Sequence, residues 1–274
     1  MRKYLILVFA VGLLLTACKE SKRNKQDSVN TEQADSINQE NDTKAAENEP
    51  MPAAADELFD DFFFNYATER RQQQERTLFP LPIIEGQDTT YLKKRQWKME
   101  PFFMKEDAYT VIFDAPQQVA LLSDTSVTNT IVERFNLDAS RVEQYFFSRD
   151  QGHWMLHAIR KQPLHDNPNA QFLRFYRLFV NDSAYQHHSL AEQIEFSGPD
   201  PDDDFSTIDG MITPDFWEAF RPDLPQHILY NIVYGHQNPA AMQKIFLLRG
   251  IANGMELEMT FRFRGRWRLT KMNT

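Results

Sequence analysis

Two aromatic stripes of identical spacing constrain the fold of this chain more than any other feature. Phe59, Phe62, Phe63 and Tyr66 recur as Phe172, Phe175, Tyr176 and Phe179. Each set falls at i, i+3, i+4 and i+7, which puts four rings on one side of an amphipathic helix and demands a core for each. Any buried helix has that period, but here the landmarks that follow also repeat in order. Trp97 precedes Tyr109-Thr-Val-Ile-Phe113 as Trp217 precedes Tyr230-Asn-Ile-Val-Tyr234. Both halves then close on Gly-x-Trp-x-Leu, as Gly152-His-Trp154-Met-Leu156 and Gly265-Arg-Trp267-Arg-Leu269. Three matching features in one order point to a tandem duplication. Its seam falls between Lys161 and Pro168, where Pro163, Asp166, Asn167 and Pro168 interrupt the periodicity, giving copies at 56–164 and 165–274.

Within each half the helix comes first and the strands follow, the segregated order of an α+β fold. The last hairpin is the plainest stretch. Met255, Leu257, Met259, Phe261 and Phe263 alternate with Glu256, Glu258, Thr260, Arg262 and Arg264, so one face is buried and the other solvated. A turn over Arg264, Gly265 and Arg266 predicts Phe263 beside Trp267 and Phe261 beside Leu269. The first half predicts Tyr145 and Phe147 facing Trp154 and Leu156. These pieces build two tandem cone-shaped domains, each an N-terminal helix packed on a curved antiparallel sheet.

Ahead of the repeat the chain changes character twice. Arg2 and Lys3 precede an apolar run from Tyr4 to Leu15 and then Leu15-Thr16-Ala17-Cys18. A membrane span needs about 20 apolar residues, so this shorter run reads as the apolar region of a signal peptide over 1–18. Its ending resembles the lipobox of bacterial lipoproteins, which implies that Cys18 is acylated and becomes the mature N-terminus. Cys18 is the only cysteine in 274 residues, so no internal disulfide can form and stability must come from packed cores. Lys19 stands where an aspartate retains such proteins in the inner membrane, so the resemblance implies an outer-membrane address. Residues 19–55 contain no aromatic side chain, and Val29, Ile37 and Met51 are their only larger aliphatics. Such a segment is expected to be a disordered tether with a reach of about 35 Å.

Phe59-x-x-Phe62-Phe63, the run Gln72 to Arg76, Leu78-Phe79-Pro80-Leu81-Pro82, and Trp97 ahead of a Tyr-x-x-x-Phe strand are together similar to a Bacteroidetes lipoprotein family known only as a domain of unknown function. The helix-then-sheet plan resembles the nuclear transport factor 2-like, cystatin-like cone. In the second half Glu195-Phe196-Ser197-Gly198-Pro199 replaces the Phe-Pro-Leu element. The resemblance implies a fold and a location but no mechanism, since such cones host isomerases, dehydratases and non-catalytic binders.

A search for chemistry returns few candidates. Gly-x-Ser-x-Gly, phosphate loops, His-Glu-x-x-His and cysteine pairs are all absent from the sequence. Asp200-Pro-Asp202-Asp203-Asp204 invites a calcium reading, but Phe205 and Met211 stand where an EF-hand loop needs glycine and glutamate, so a solvated loop is expected. His187 and His188 are adjacent on a helix and diverge, which suits a helix end better than a metal site. His157 has Asp114 as its one nameable acid-base partner, yet strand parity turns it away from Trp154 and Leu156. No catalytic residue, metal ligand or cofactor is assigned. The better-motivated feature is Arg262, Arg264, Arg266 and Arg268 on one hairpin of a chain with formal charge -9. Arg262 and Arg268 are expected to sit opposite each other, a repulsive arrangement relieved by Glu256, Glu258, a facing domain or a bound anion. The acidic balance argues against nucleic acid. The sequence therefore reads as an envelope lipoprotein, anchored to the membrane by its lipid. It would bind a ligand, an envelope protein or an anionic glycan, and its competitor is an isomerase- or hydrolase-like enzyme using the cone pocket.

Overall fold

The computed structural model describes residues 56–200, 203–251 and 253–274. Cys18 and the expected tether over 19–55 lie outside the described residues, as does Asp202. Among the described residues no helix is long and apolar enough to cross a membrane.

Both aromatic stripes form helices and both are buried. Helix α1 (Phe59–Thr68) buries Phe59, Phe62, Phe63 and Tyr66, and the short α2 (Arg70–Glu75) follows it. Helix α3 (Ala170–Asn181) buries Phe172, Phe175, Tyr176 and Phe179 in the same way. Helix α4 (Ser183–His188) begins where the Asp182 carboxylate accepts the Tyr185 N–H at 2.9 Å, a side-chain cap of the kind that stabilises a helix start. The single turn α5 (Trp217–Phe220) carries the fully buried Trp217.

The strands of the first half are β1 (Leu81–Glu85), β2 (Asp88–Leu92), β3 (Ala108–Phe113), β4 (Asn129–Asn136), β5 (Arg141–Asp150) and β6 (His153–Pro163). Those of the second are β7 (Leu190–Asp200), β8 (Asp203–Ile212), β9 (Ile228–Tyr234), β10 (Gln243–Gly250), β11 (Glu256–Phe263) and β12 (Trp267–Asn273). All twelve join one sheet in the order β2-β1-β6-β5-β4-β9-β3-β10-β11-β12-β7-β8. Exchanging β1 to β6 for β7 to β12 reverses that order onto itself, so the duplication read from the sequence is also a symmetry of the sheet. At the centre the halves trade a strand. β9 pairs antiparallel with β4, β3 pairs antiparallel with β10, and β3 and β9 meet in a parallel contact at Thr110 and Asn231.

Alternation along the central strands shows where the two cores lie. Val111, Phe113, Ile245 and Leu247 pack with the α1 aromatics, whereas Ile112, Phe246 and Leu248 pack with those of α3. Successive side chains of a strand point to opposite faces. The two helices therefore cover opposite faces of a continuous sheet, each closing its own core.

Beside its turn the final hairpin has the predicted register, with Phe261 opposite Leu269 and Phe263 opposite Trp267, and beyond that an extra residue on β12 shifts the pairing between Thr260 and Phe261. Its turn uses Gly265 at φ +74°, a conformation that favours glycine, while the Arg264 N–H donates to the Arg266 carbonyl at 3.0 Å. The first half departs from expectation. Phe147 does face Leu156, but an irregularity between Phe146 and Phe147 leaves Tyr145 opposite Ile159 and Arg149 opposite Trp154. One residue more on β6 than on β5 shifts the register beyond that point.

Polar groups pin the exchanged strands. The fully buried Glu133 on β4 accepts from Gln144 Nε2 at 2.9 Å, Asn167 Nδ2 at 2.6 Å and Asn231 Nδ2 at 2.8 Å, the last two from the second half. Asn231 in turn accepts from the Ile112 N–H at 3.1 Å. On β10, Lys244 is only 2% exposed; it is paired with Asp114 and donates to Asn169 Oδ1 at 2.6 Å. Asp60 on α1 accepts from Tyr109 at 3.0 Å, from Arg249 at 2.8 Å and from Tyr234, which ties the first helix to β3, β10 and β9.

Candidate functional site

Each cone interior is filled by the chain's own rings. In the first, Phe59 lies 4.9 Å from Trp154, Phe63 lies 4.9 Å from Phe102, and Tyr66 lies 5.2 Å from Phe147, mostly edge-on. In the second, Phe172 lies 5.3 Å and Phe179 5.4 Å from Phe261, and Tyr176 stacks 5.0 Å from Phe246. These separations are those of well-packed aromatic cores.

Polar groups gather where the first cone ends. Glu143 receives Arg134, Lys161 and the Tyr145 hydroxyl, each at 3.3 Å. Glu100 joins them from the loop before β3, its backbone held by Gln73 through bonds of 2.7 and 2.9 Å. Burial raises the Glu100 carboxyl, with Arg134 pulling it back, and burial pushes the Tyr230 hydroxyl up to about 12. Sequence reasoning missed this cluster. The available signal was parity: Arg134 shares its face with Val132, and Glu143 with Tyr145 and Phe147, so charges stand where a core face calls for apolar residues. Its members are engaged with one another and form a polar collar on a filled cone.

The arginine hairpin offers a more available set of charges. Arg262 lies directly opposite Arg268, as expected, and Arg262, Arg264 and Arg266 are exposed. The carboxylates expected to compensate them are used elsewhere. Glu256 pairs with Arg249 at 3.1 Å, and Glu258 accepts from Asn273 at 3.1 Å. Among the described residues none of the four arginines forms an ion pair; Arg262 Nε donates to Gln243 Oε1 at 3.4 Å. Arg262 and Arg264 line a surface groove of about 440 Å³ with Gln243, Met242, Asn238 and Asp114. The Asp114 carboxylate is already satisfied by Lys244 and by the Asn238 N–H at 2.6 Å, so the arginines dominate the charge presented.

The remaining sequence candidates separate. His157 turns away from the core as parity predicted and is hydrogen-bonded to Ser148, while Asp114 is bound to Lys244, so the two form no acid-base pair. His188 closes α4 by bonding the Ala184 carbonyl at 2.8 Å. Asp200 and Asp203 pair across the tip of the β7–β8 hairpin, and Ser206 donates to Asp200 at 3.2 Å. Among the described residues no three His, Cys, Asp or Glu side chains are grouped to hold a metal ion.

Residues 38–274 match the model of a family described as a domain of unknown function, DUF4348. Among solved structures the chain is similar to an NTF2-like protein from Bacteroides fragilis, at 38% identity over 82% of this chain and 98% of that one, with a TM-score of 0.75. No curated protein matches the chain.

Proposed function

Because the chain belongs to the DUF4348 family and has an NTF2-like fold, neither of which specifies an activity, we propose a function read from its surfaces: a lipid-anchored envelope protein that binds an anionic partner through the β11–β12 hairpin. Rings pack the centre of each cone, so this reading places recognition on the outside of the sheet. The supporting observation is the cross-strand pair Arg262 and Arg268, uncompensated among the described residues while Glu256 and Glu258 are engaged elsewhere. Like charges directly opposite each other destabilise a hairpin, and an anionic group placed between them removes that penalty. The partner class is an anionic glycan of the envelope, and an acidic protein face presents the same chemistry. Anchoring would come from Cys18, with residues 19–55 as the tether between lipid and fold.

Charge reversal separates recognition from stability. Arg262→Glu with Arg268→Glu should weaken retention on immobilised polygalacturonate at least tenfold, and the wild-type interaction should fade as salt is raised. The single change Arg262→Glu should hold or slightly raise the melting temperature, because it creates an opposite-charge pair with Arg268. Unaltered retention in the double variant would overturn the reading. For anchoring, Cys18→Ser should abolish incorporation of labelled palmitate and move the protein to the soluble fraction; continued labelling would refute acylation at that residue.

A further inference from the structure

The groove at Arg262 has a counterpart in the first half. Aligning Tyr109–Phe113 with Tyr230–Tyr234 matches Asp114 to Gly235 and Ala115 to His236. Aligning the two Gly-x-Trp-x-Leu strands matches Phe147, opposite Leu156, to Phe261, opposite Leu269. Phe147 also faces Thr130, and Phe261 faces Lys244. One position further, Asn129 faces Ser148 across β4–β5 where Gln243 faces Arg262 across β10–β11. Asn129, Ser148, Gly235 and His236 do line a groove, of about 520 Å³, on the outer face of the first half. The duplication has thus made the same depression twice. One copy is cationic; the other has no aspartate, glutamate, lysine or arginine in its lining.

The neutral copy is organised in two rows. Phe146, Ile131 and Val233 are direct cross-strand neighbours on β5, β4 and β9 and form an apolar floor. Arg160, outside the lining, holds the Phe146 ring with its guanidinium 5.0 Å from the centroid. Beside the floor stand the Asn129 amide, the Ser148 hydroxyl and the imidazoles of His157 and His236. The bond between Ser148 and His157 orients both before any ligand arrives. Amide, hydroxyl and imidazole can each donate and accept, so together they suit a ligand whose own groups do both. A volume of this order lies in the range of small-molecule sites, and an apolar bed with a few convergent polar groups is their usual composition.

We propose that this outer groove, formed by β4, β5, β6 and β9, binds an uncharged saccharide: a sugar ring lays its C–H face on Phe146, Ile131 and Val233 and its hydroxyls exchange hydrogen bonds with Asn129, Ser148, His157 and His236. The site is separate from the arginine hairpin, and the duplicated fold would carry one neutral and one anionic site at matching positions.

Saturation-transfer NMR on the full chain, with maltose, cellobiose, lactose and diacetylchitobiose as probes, tests this. At least one should receive transfer at its ring C–H protons. Ser148→Arg, which installs the second-half residue, should reduce that transfer at least tenfold. His157→Ala should weaken it several-fold, with both variants keeping the wild-type melting temperature within a few degrees. Arg262→Glu with Arg268→Glu should leave it intact. No transfer to any of the four probes would overturn the inference, as would transfer that survives both groove variants. Loss only in the arginine double variant would also overturn it, by moving the sugar to the other groove.

Discussion

Glu133→Gln is expected to destabilise the fold by about 3 kcal/mol, seen as a lowered urea midpoint with an unchanged slope. Glu133 is fully buried and accepts three amide N–H groups, with Oε1 serving Gln144 and Asn167 and Oε2 serving Asn231. Glutamine keeps one acceptor oxygen and replaces the other with a donor. That donor then meets a donor at Asn231, whose own oxygen is committed to the Ile112 N–H. Turning the Asn231 amide to relieve one clash abandons a backbone N–H, so an unmet donor persists in either orientation. The same residue sets a pH dependence. Burial raises its carboxyl above the ordinary value of 4.5, and the three amides only offset that. The folded state therefore holds the proton more tightly than the unfolded chain. Its contribution is whole below the ordinary carboxylate range and is lost as pH rises through the raised native value. Wild-type stability should decline over that window, and Glu133→Gln should flatten the decline. An unchanged pH profile in the variant would remove Glu133 as its source.

Lys244→Met should cost about 3 to 5 kcal/mol, because it leaves the Asp114 carboxylate without the cation that neutralises it. The Lys244 side chain is 3% exposed, and that of its partner is little more open at 11%. Combining it with Asp114→Asn should recover part of the loss. A buried pair contributes less as a pair than its separated members cost, so the double-mutant cycle should give a coupling of about 1 to 3 kcal/mol. Additive losses would show that the two residues act independently. Asp114 begins the segment after β3 and Lys244 sits on β10, so the measurement also reports how firmly the exchanged strand is held.

Much of the fold was legible because short-range pattern dictated it. The stripes at Phe59 and Phe172 fixed two buried helices, and alternation from Met255 to Phe263 fixed the faces of the last hairpin and its register beside the turn, at Phe261 and Phe263, but not the shift between Thr260 and Phe261. The register of the first hairpin was not legible beyond Phe146, since the chain has no glycine or proline there to announce an extra residue. The strand exchange was equally hidden: Tyr109–Phe113 and Tyr230–Tyr234 read as strands, but their neighbours lie in the opposite half and local pattern carries no such information. Among the site residues, the cross-strand arginines followed from parity and a tight turn. The neutral groove did not, because its floor and rim come from four strands whose order only the sheet supplies.

The traded strand gives the chain an awkward childhood on the ribosome. Both neighbours of β3, the strands β9 and β10, belong to the second half, so when residue 164 has been synthesised its six residues Ala108–Phe113 have no partner in existence. An apolar strand waiting with two open edges is a template for pairing with whatever is near, including the same strand on a neighbouring nascent chain. A fragment stopped at the seam would carry that hunger permanently. Two such chains, the β3 and β4 of each taking the places of β9 and β10 in the other, would interlock into crossed-over dimers in place of two separate small proteins.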